Sequence, residues 1–574
     1  MIKLPDALTT GKAAARFFWL FAFVIILVSS PDIFYYAIDD RLGEALIRYL
    51  FCFGLFAIFT LIFRNHLKFF ISLFIPIVVI ALVNVFCIVL YHTPLTFDTL
   101  ILALNTNFQE TYELISGYLP YFILLLLILT GVFYLIIKST PQSLPLKSAA
   151  TCAASGILLV MIVPIFESAL PTYPQKFNET IISVYPGSVI YAVKAVIKQV
   201  NLIENHQNAV KNFSFKSHQK KGIKNRQIYV LVIGESSRFN NWQLNHYARK
   251  TSPRLSQRGN IISFDHMIAG GYITEFSVPL IITGVTATNF NDHYKEKSIV
   301  SAFNEAGFKT YWISNQTDFG DISMHAKEAT ETIVLPSDWR ATEHVHRDME
   351  LVAKLKAILD RNEPKVFVVL HTLGSHYNYA ARYPENFDFF KPSTKGILVN
   401  PRDVTKKAEL INSYDNTILY TDAIVDSVIS MVQNKHSSSW VSYISDHGEN
   451  LFDDSRGLSQ HNEPIPSAYV AHVPWFMWTS TAYVQQFDDK VKNLIRHKSQ
   501  LLGSQNVFHT LAEMGNLSFS QEDSTRSVAS PYFKPGKQLI LSGDSKVLDY
   551  MEIGKQAYVR AINVAPGTNT EREK

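Results

Sequence analysis

Apolar residues are distributed unevenly along this chain. Five long apolar runs, 16–37, 45–63, 69–91, 119–138 and 148–166, crowd the first third, and each is long enough to cross a bilayer core of roughly 30 Å as a helix. Beyond them the apolar residues come in short β-branched and aromatic runs, 228–233, 310–313, 366–370, 440–444 and 474–478, which read as strands. Helical patterns near 298–306, 347–361, 405–434 and 505–514 alternate with these runs. Such alternation predicts a mainly parallel sheet covered by helices on both faces. The two parts of the chain must therefore face different solvents.

The first apolar run is too long, and too poor in a small-residue cleavage site, for a removable signal peptide, so it is expected to remain as an anchor. Lys3, Lys12 and Arg16 precede it, Arg64 and Lys68 separate the second and third runs, and Lys138 and Lys147 flank the fourth connection. The alternate loops carry Asp32, Asp39 and Asp40 or Asp98, Glu110 and Glu113. By the positive-inside rule the N-terminus is cytoplasmic, and an odd number of spans puts everything after about residue 167 outside. The expected organisation is a membrane domain over 1–167, a connecting segment over 168–225 and an exported domain over 226–574. Within the connection, 188–202 carries an apolar stripe (Val189, Val193, Val196, Ile197, Val200) suited to lying on a membrane, and a basic linker follows it. The loop 100–116 reads as a helix at the outer interface with Thr106 and Glu110 on one face; a solvated surface helix is the plainer alternative.

At 574 residues the chain exceeds one ordinary domain. Its formal charge of +4 is too small for this size to argue for nucleic acid. The three cysteines, Cys52, Cys87 and Cys152, all lie in the apolar third, which leaves the polar portion without a disulfide framework.

The chemistry concentrates where strands end. Tyr229–Arg238 reads as a buried parallel strand that turns at Gly234 and presents Glu235. Open α/β sheets bind ligands at that edge. Asp446 and His447 follow another strand, and adjacent ligands at a strand end point in divergent directions. Together with Glu235 they make a candidate cation site. His376 and His461 sit in polar loops and suit a second cation or phosphate oxygens, with His371, Asp453 and Asp454 competing for those roles. The segment 269–280 reads as a glycine turn leading into a helix, with Thr274 near its start. In isolation Thr274 is an N-cap; beside a divalent cation its hydroxyl can ionise and attack phosphorus.

Taken together, Gly234–Arg238, Asn245–Leu255, Thr274–Pro279, Trp312–Gln316, His371–His376 with Arg382–Pro384, and Ser445–Glu449 resemble the phosphoethanolamine transferases of Gram-negative envelopes, within the alkaline phosphatase and sulfatase superfamily. The resemblance spans nearly the whole chain. It implies five membrane helices and a sulfatase-like exported domain, with one or two zinc ions held by Glu235, Thr274, Asp446 and His447. Thr274 would be the nucleophile, His376 and His461 substrate or second-zinc histidines, and Thr106 and Glu110 contacts to the donor headgroup. Leu102 stands where many members carry an asparagine. The implied donor is phosphatidylethanolamine in the inner membrane. The implied acceptor is a lipopolysaccharide core sugar or lipid A, met on the periplasmic side. Rival readings are a phosphoglycerol transferase, a phosphate or sulfate ester hydrolase, transfer to a periplasmic glucan, and a catalytically silent membrane sensor or scaffold. A sulfatase would need a cysteine or serine where Thr274 stands.

Overall fold

The structure, a computed structural model, describes residues 6–38, 42–91, 94–105, 116–168, 184–220, 223, 225–316, 320–335, 347–397, 399, 401, 403–453, 456–461, 466–542 and 546–553. The chain divides into two compact units, one ending at Gln199 and the other starting at Val200. That division falls inside the helix Gly187–Ala209, here α1, which contains the stripe expected over 188–202.

Among the described residues, the first unit holds five helices long and apolar enough to span a membrane: Gly11–Val28, Leu42–Thr60, Leu67–Val89, Leu119–Ser139 and Leu146–Val163. Its core is an aromatic cluster in which Phe21 stacks on Phe17 and Phe70 meets Phe74 edge-on. The second and fifth helices approach through glycines, since a Cβ on Gly156 would stand 2.6 Å from the carbonyl of Gly54. Small residues of this kind let membrane helices pack backbone to backbone. The first helix ends sooner than the apolar run expected over 16–37. Pro31 has no N–H to offer the carbonyl of Leu27, the Ser30 hydroxyl donates to that carbonyl instead at 2.8 Å, and a separate helix Ser30–Ile38 begins.

The second unit is built on a seven-stranded sheet. In chain order its strands are β1 (Gln227–Gly234), β2 (Ile261–Ser263), β3 (Lys309–Ser314), β4 (Glu331–Val334), β5 (Lys365–His371), β6 (Ser438–Ser445) and β7 (Trp475–Thr479). Across the sheet the order is β2-β7-β6-β1-β5-β3-β4. β1 lies centrally, parallel to both β5 and β6, with Ile233 beside His371 and Gly234 beside Ser445. β3 and β4 extend the parallel arrangement. β7 runs antiparallel to β6 and to β2, so the strand expected over 474–478 departs from the parallel pattern at one side of the sheet.

Every residue of β1 is buried. Tyr229, Leu231 and Ile233 face one core with Phe303 and Trp440. Ile228, Val230 and Val232 face the other, against Tyr414, Ile418 and Val425 of the helix Lys407–Gln433. Each such aliphatic side chain contributes roughly 1.5–3 kcal/mol by leaving water. A continuous apolar run is what a strand covered on both faces requires. The packing fixes the register of β1, β5 and β6, and that register brings their carboxyl ends level.

Candidate metal centre and active site

Three strand ends and one helix start converge. Glu235 follows β1, Asp446 and His447 follow β6, and Thr372–His376 follow β5. Thr274 is the first residue of the helix Thr274–Ile282, here α2. The turn after β1 is tight. Ser236 takes a left-handed conformation with φ 54°, and Gly374, with φ 47°, passes so close that a Cβ there would meet the Glu235 carbonyl oxygen at 2.7 Å. Only glycine fits that approach. The loop is pinned by Ser375 N–H donating to the Glu235 carbonyl at 2.9 Å and Asp446 N–H to that of Gly234 at 3.1 Å.

Glu235, Asp446 and His447 are buried, and each offers a ligand atom within 4.8 Å of the others. His447 Nε2 stands 3.4 Å from Glu235 Oε1, 3.4 Å from Asp446 Oδ2 and 3.4 Å from Thr274 Oγ1. The hydroxyl of Thr274 donates to Glu235 Oε2 at 3.0 Å. Thr274 is therefore not the N-cap. Ile273 holds that position, and the threonine oxygen turns toward the carboxylate. It is also half-buried where the other three are enclosed, so it is the member of the group that a substrate can reach.

The electrostatics call for a cation. Burial pushes the carboxyl of Asp446 well up, and the neighbouring charge of Glu235 pushes it further. Burial acts on Glu235 in the same sense, but the charges of His447 and His376, the Ser236 hydroxyl and His461 outweigh it and hold this carboxylate below its usual range. Asp446 Oδ2 is buried without a hydrogen bond of normal geometry. His447 Nδ1 lies 2.9 Å from the carbonyl of Gly448, which only accepts, so Nδ1 carries a proton and Nε2 is the nitrogen that would turn its lone pair to a cation held among the carboxylates. Two carboxylates, one hydroxyl and one imidazole lone pair form an oxygen-rich donor set of zinc's type.

Other expected residues find different surroundings. His461 lies beside His447 with ring centroids 4.1 Å apart, and its Nδ1 is 3.3 Å from Glu449 Oε2. Its imidazole is pushed well down by burial and by the charge of His447. His376 is half-buried with Nδ1 on the Tyr377 carbonyl at 2.7 Å, and its charge acts on both Glu235 and Glu449. His371 closes β5 and is buried beside Trp312 and Ser314, where burial lowers it to about 4. Asp453 is bound to Arg238 at 2.8 Å, so it is committed to an ion pair. Thr106, Glu110 and Asp454 lie outside the described residues.

Three contributors carry no role in the sequence reading. Gln316 Nε2 donates to Glu235 Oε2 at 3.0 Å and to the Thr372 carbonyl at 2.8 Å, and Ser236 Oγ donates to Glu235 Oε1 at 2.7 Å. Glu449 is buried next to the histidines and raised to about 8, first by burial. The signal for Gln316 was its place directly after β3, at the same sheet edge as Glu235.

Comparison with known proteins bears on family and fold. The sulfatase family matches residues 227–517. Phosphoethanolamine transferase EptC of Escherichia coli (strain K12) is 28% identical over 313 residues, 53% of this chain and 53% of that protein. The C-terminal periplasmic domain of EptC from Escherichia coli, solved in complex with Zn, superposes with a TM-score of 0.53 at 25% identity, covering 60% of this chain and 97% of that one. The integral membrane protein lipooligosaccharide phosphoethanolamine transferase A (EptA) from Neisseria meningitidis superposes with a TM-score of 0.71 at 21% identity, covering 89% of this chain and 97% of that one. The last similarity shows a shared fold of membrane helices and α/β domain.

Proposed function

This chain belongs to the sulfatase family, and from that membership we propose that it transfers phosphoethanolamine from phosphatidylethanolamine to a lipopolysaccharide acceptor, a core sugar or lipid A, through a covalent intermediate on Thr274. The observation that carries the reading is the Thr274 hydroxyl, open to solvent on one side and set 3.0 Å from Glu235 Oε2 and 3.4 Å from His447 Nε2. The sequence relative named a phosphoethanolamine transferase supports the same chemistry.

Glu235, Asp446, His447 and the Thr274 oxygen would hold a zinc ion, which supplies charge that lowers the hydroxyl pKa and offsets charge on phosphoryl oxygens. In the first half-reaction Thr274 Oγ1 attacks the phosphorus of the donor. The phosphorus–oxygen bond to diacylglycerol breaks, and diacylglycerol leaves as an alcohol with a proton. Glu235 Oε2 takes the threonine proton, in line with the hydrogen bond between them, and that proton passes to the departing diacylglycerol oxygen. In the second half-reaction a hydroxyl or phosphate oxygen of the acceptor attacks the same phosphorus, the bond to Thr274 breaks, and the threonine regains its proton. His376 and His461, neighbours of Glu235 and His447, would meet substrate phosphate oxygens. Gln316 and Ser236 orient Glu235 by hydrogen bonds. Thr106 and Glu110 would meet the ethanolamine headgroup.

In this reading the membrane helices anchor the chain in the bacterial inner membrane with the catalytic domain in the periplasm. Tethering raises the effective concentration of a lipid donor and replaces an encounter in solution by a local search. The test is mass spectrometry of the chain incubated with phosphatidylethanolamine. One phosphoethanolamine is expected on the peptide containing Thr274, and Thr274→Ala should lack both the adduct and transfer to purified lipopolysaccharide. A Thr274→Ala protein that still transfers at full rate overturns the mechanism. Free phosphoethanolamine in place of modified glycolipid would make the chain a hydrolase.

A further inference from the structure

A second group of metal-type ligands lies away from this edge, wholly within the second unit. His206, on the last turn of α1, His325 and Glu328 each offer a ligand atom within 4.8 Å of the others. His325 sits on the helix Asp321–Ala326, here α3, and Glu328 follows it. His325 and His206 are enclosed, at 0% and 2% exposure, and the side chain of Glu328 is 7% exposed.

The protonation pattern separates this group from an ordinary buried network. His206 Nδ1 lies 3.0 Å from the backbone carbonyl of Tyr294, which accepts only, so Nδ1 carries the proton. His206 Nε2 is then a bare lone pair, buried and without a hydrogen-bond partner. Its ring stands 5.4 Å from that of His325. Glu328 is equally prepared. Its Oε2 accepts from Ser298 Oγ at 2.8 Å, Ser301 Oγ at 2.7 Å and the Ser298 N–H at 2.8 Å, while Oε1, which accepts from the same N–H at 3.0 Å, faces His325 Nδ1 at 2.8 Å. A carbonyl behind an imidazole and hydroxyls behind a carboxylate are the supports that orient metal ligands in protein sites. His293 lies behind His325, with its Nδ1 3.4 Å from His325 Nε2, and supports that ring in turn.

We infer that His206, His325 and Glu328 bind a structural divalent metal ion of zinc's type, distinct from the ion of the catalytic edge. Two imidazoles and one carboxylate suit zinc, while calcium and magnesium prefer all-oxygen shells. Zinc at about 2.0–2.2 Å from each ligand holds neighbouring donors somewhat over 3 Å apart, so the His325–Glu328 pair needs to open only slightly from its present spacing. Enclosure and the absence of a hydroxyl nucleophile or a second carboxylate among the three ligands make the site structural. The ion ties the end of α1 to the segments around Tyr294 and Glu328, adding to the hydrogen bond between His206 and the Tyr294 carbonyl.

The inference does not depend on the transferase reading, and its test leaves that centre out. The full-length chain carrying Asp446→Ala and His447→Ala is purified in detergent, equilibrated with Zn2+ and desalted. About one zinc per chain is expected to remain, and adding His206→Gln should lower this at least fivefold. X-ray absorption at the zinc edge of the Asp446→Ala, His447→Ala protein reads the site without touching its ligands. Imidazole and oxygen scattering near 2.0–2.1 Å is expected. No retained zinc, zinc unaffected by His206→Gln in a chain that still elutes as a folded species, or a zinc shell without imidazole each overturns the inference.

Discussion

The two histidine–carboxylate clusters of the second unit share one device and differ in everything around it. Each has an imidazole whose Nδ1 is fixed on a backbone carbonyl, His447 on Gly448 and His206 on Tyr294, so that Nε2 presents a lone pair. At the sheet edge that lone pair meets two carboxylates, one of them pushed well up by burial and by the other's charge, and a half-buried threonine hydroxyl. In the second cluster it meets another imidazole and a single carboxylate already bonded to Ser298 and Ser301. Burial pushes Glu328 up, yet the hydrogen bond and charge of His325 and the Ser301 hydroxyl outweigh it and leave its pKa lowered. The edge is electrostatically unsatisfied and open, which suits reaction. The second cluster is closed and its carboxylate is satisfied, which suits support. Similar ligands therefore serve opposite ends according to charge balance and access.

The comparison makes a double dissociation. Asp446→Ala with His447→Ala should remove transfer by at least about 10³-fold, the equivalent of the several kcal/mol a Lewis-acid ion supplies. It should leave the melting temperature nearly unchanged, because the carboxylate repulsion is removed with the ligand. Glu328→Gln should do the reverse. Breaking a buried, hydrogen-bonded charge costs roughly 3–5 kcal/mol, a fall on the order of 10 °C for a unit of this size, while the transfer rate at 25 °C stays within about threefold. Rates and thermal melts on the same preparations decide it. Loss of transfer in Glu328→Gln at a temperature where the protein remains folded would collapse the distinction.

Much of the edge was legible in the sequence because its ligands follow strands directly. Gly234-Glu235 and Asp446-His447 end apolar runs, and a parallel sheet carries all such ends to one side. The strand expectations for 228–233 and 440–444 fall within β1 and β6. The second cluster left no such signal. His206 and His325 are 119 positions apart on two amphipathic helices, where a lone histidine reads as an ordinary polar residue. Only the tertiary packing of α1 against α3 and its surroundings joins them. The local pattern around Thr274 left two readings open, since a helix-start threonine reads as a cap until the partner of its hydroxyl is known, and the family resemblance is what marked it as a nucleophile. The antiparallel direction of β7 was invisible for another reason: a short buried apolar run has the same pattern in either direction.

Gln316→Ala sharpens the description of the edge itself. Its amide donates to the Glu235 oxygen that accepts the hydrogen bond of the Thr274 hydroxyl. A hydrogen bond to a charged group contributes roughly 1.5–3 kcal/mol, so kcat should fall by about 10–100-fold. The Michaelis constant for the lipid should barely move, because Gln316 orients the carboxylate and does not reach the headgroup. A change confined to the Michaelis constant would place Gln316 in donor binding instead.

His472 is the control for the argument that both clusters share. Its Nε2 is fixed on the Asp265 carbonyl at 2.9 Å, and its buried Nδ1 has no hydrogen-bond partner, yet among the described residues it belongs to no cluster able to hold a metal. A lone pair by itself is thus no ligand site, and its consequence should be acid sensitivity. Burial lowers this imidazole to about 3, with the charge of His266 adding to the effect and the Asp265 carbonyl opposing it. The unfolded chain therefore binds the proton first as pH falls. Stability is intact above about pH 6.5 and is lost progressively from there down toward pH 3. At pH 5 the loss from this one group is about 2 kcal/mol. His472→Gln, which keeps a donor for the carbonyl, should cost little more than a lost packing contact at pH 7. Between pH 7 and pH 5 it should lose about 2 kcal/mol less than the parent in denaturant melts, and neither protein should gain stability from added zinc through this position. An unchanged pH slope in His472→Gln would mean that His472 opens to water before the domain unfolds, and the tautomer argument for His206 and His447 would then need direct nitrogen-15 evidence at each ring.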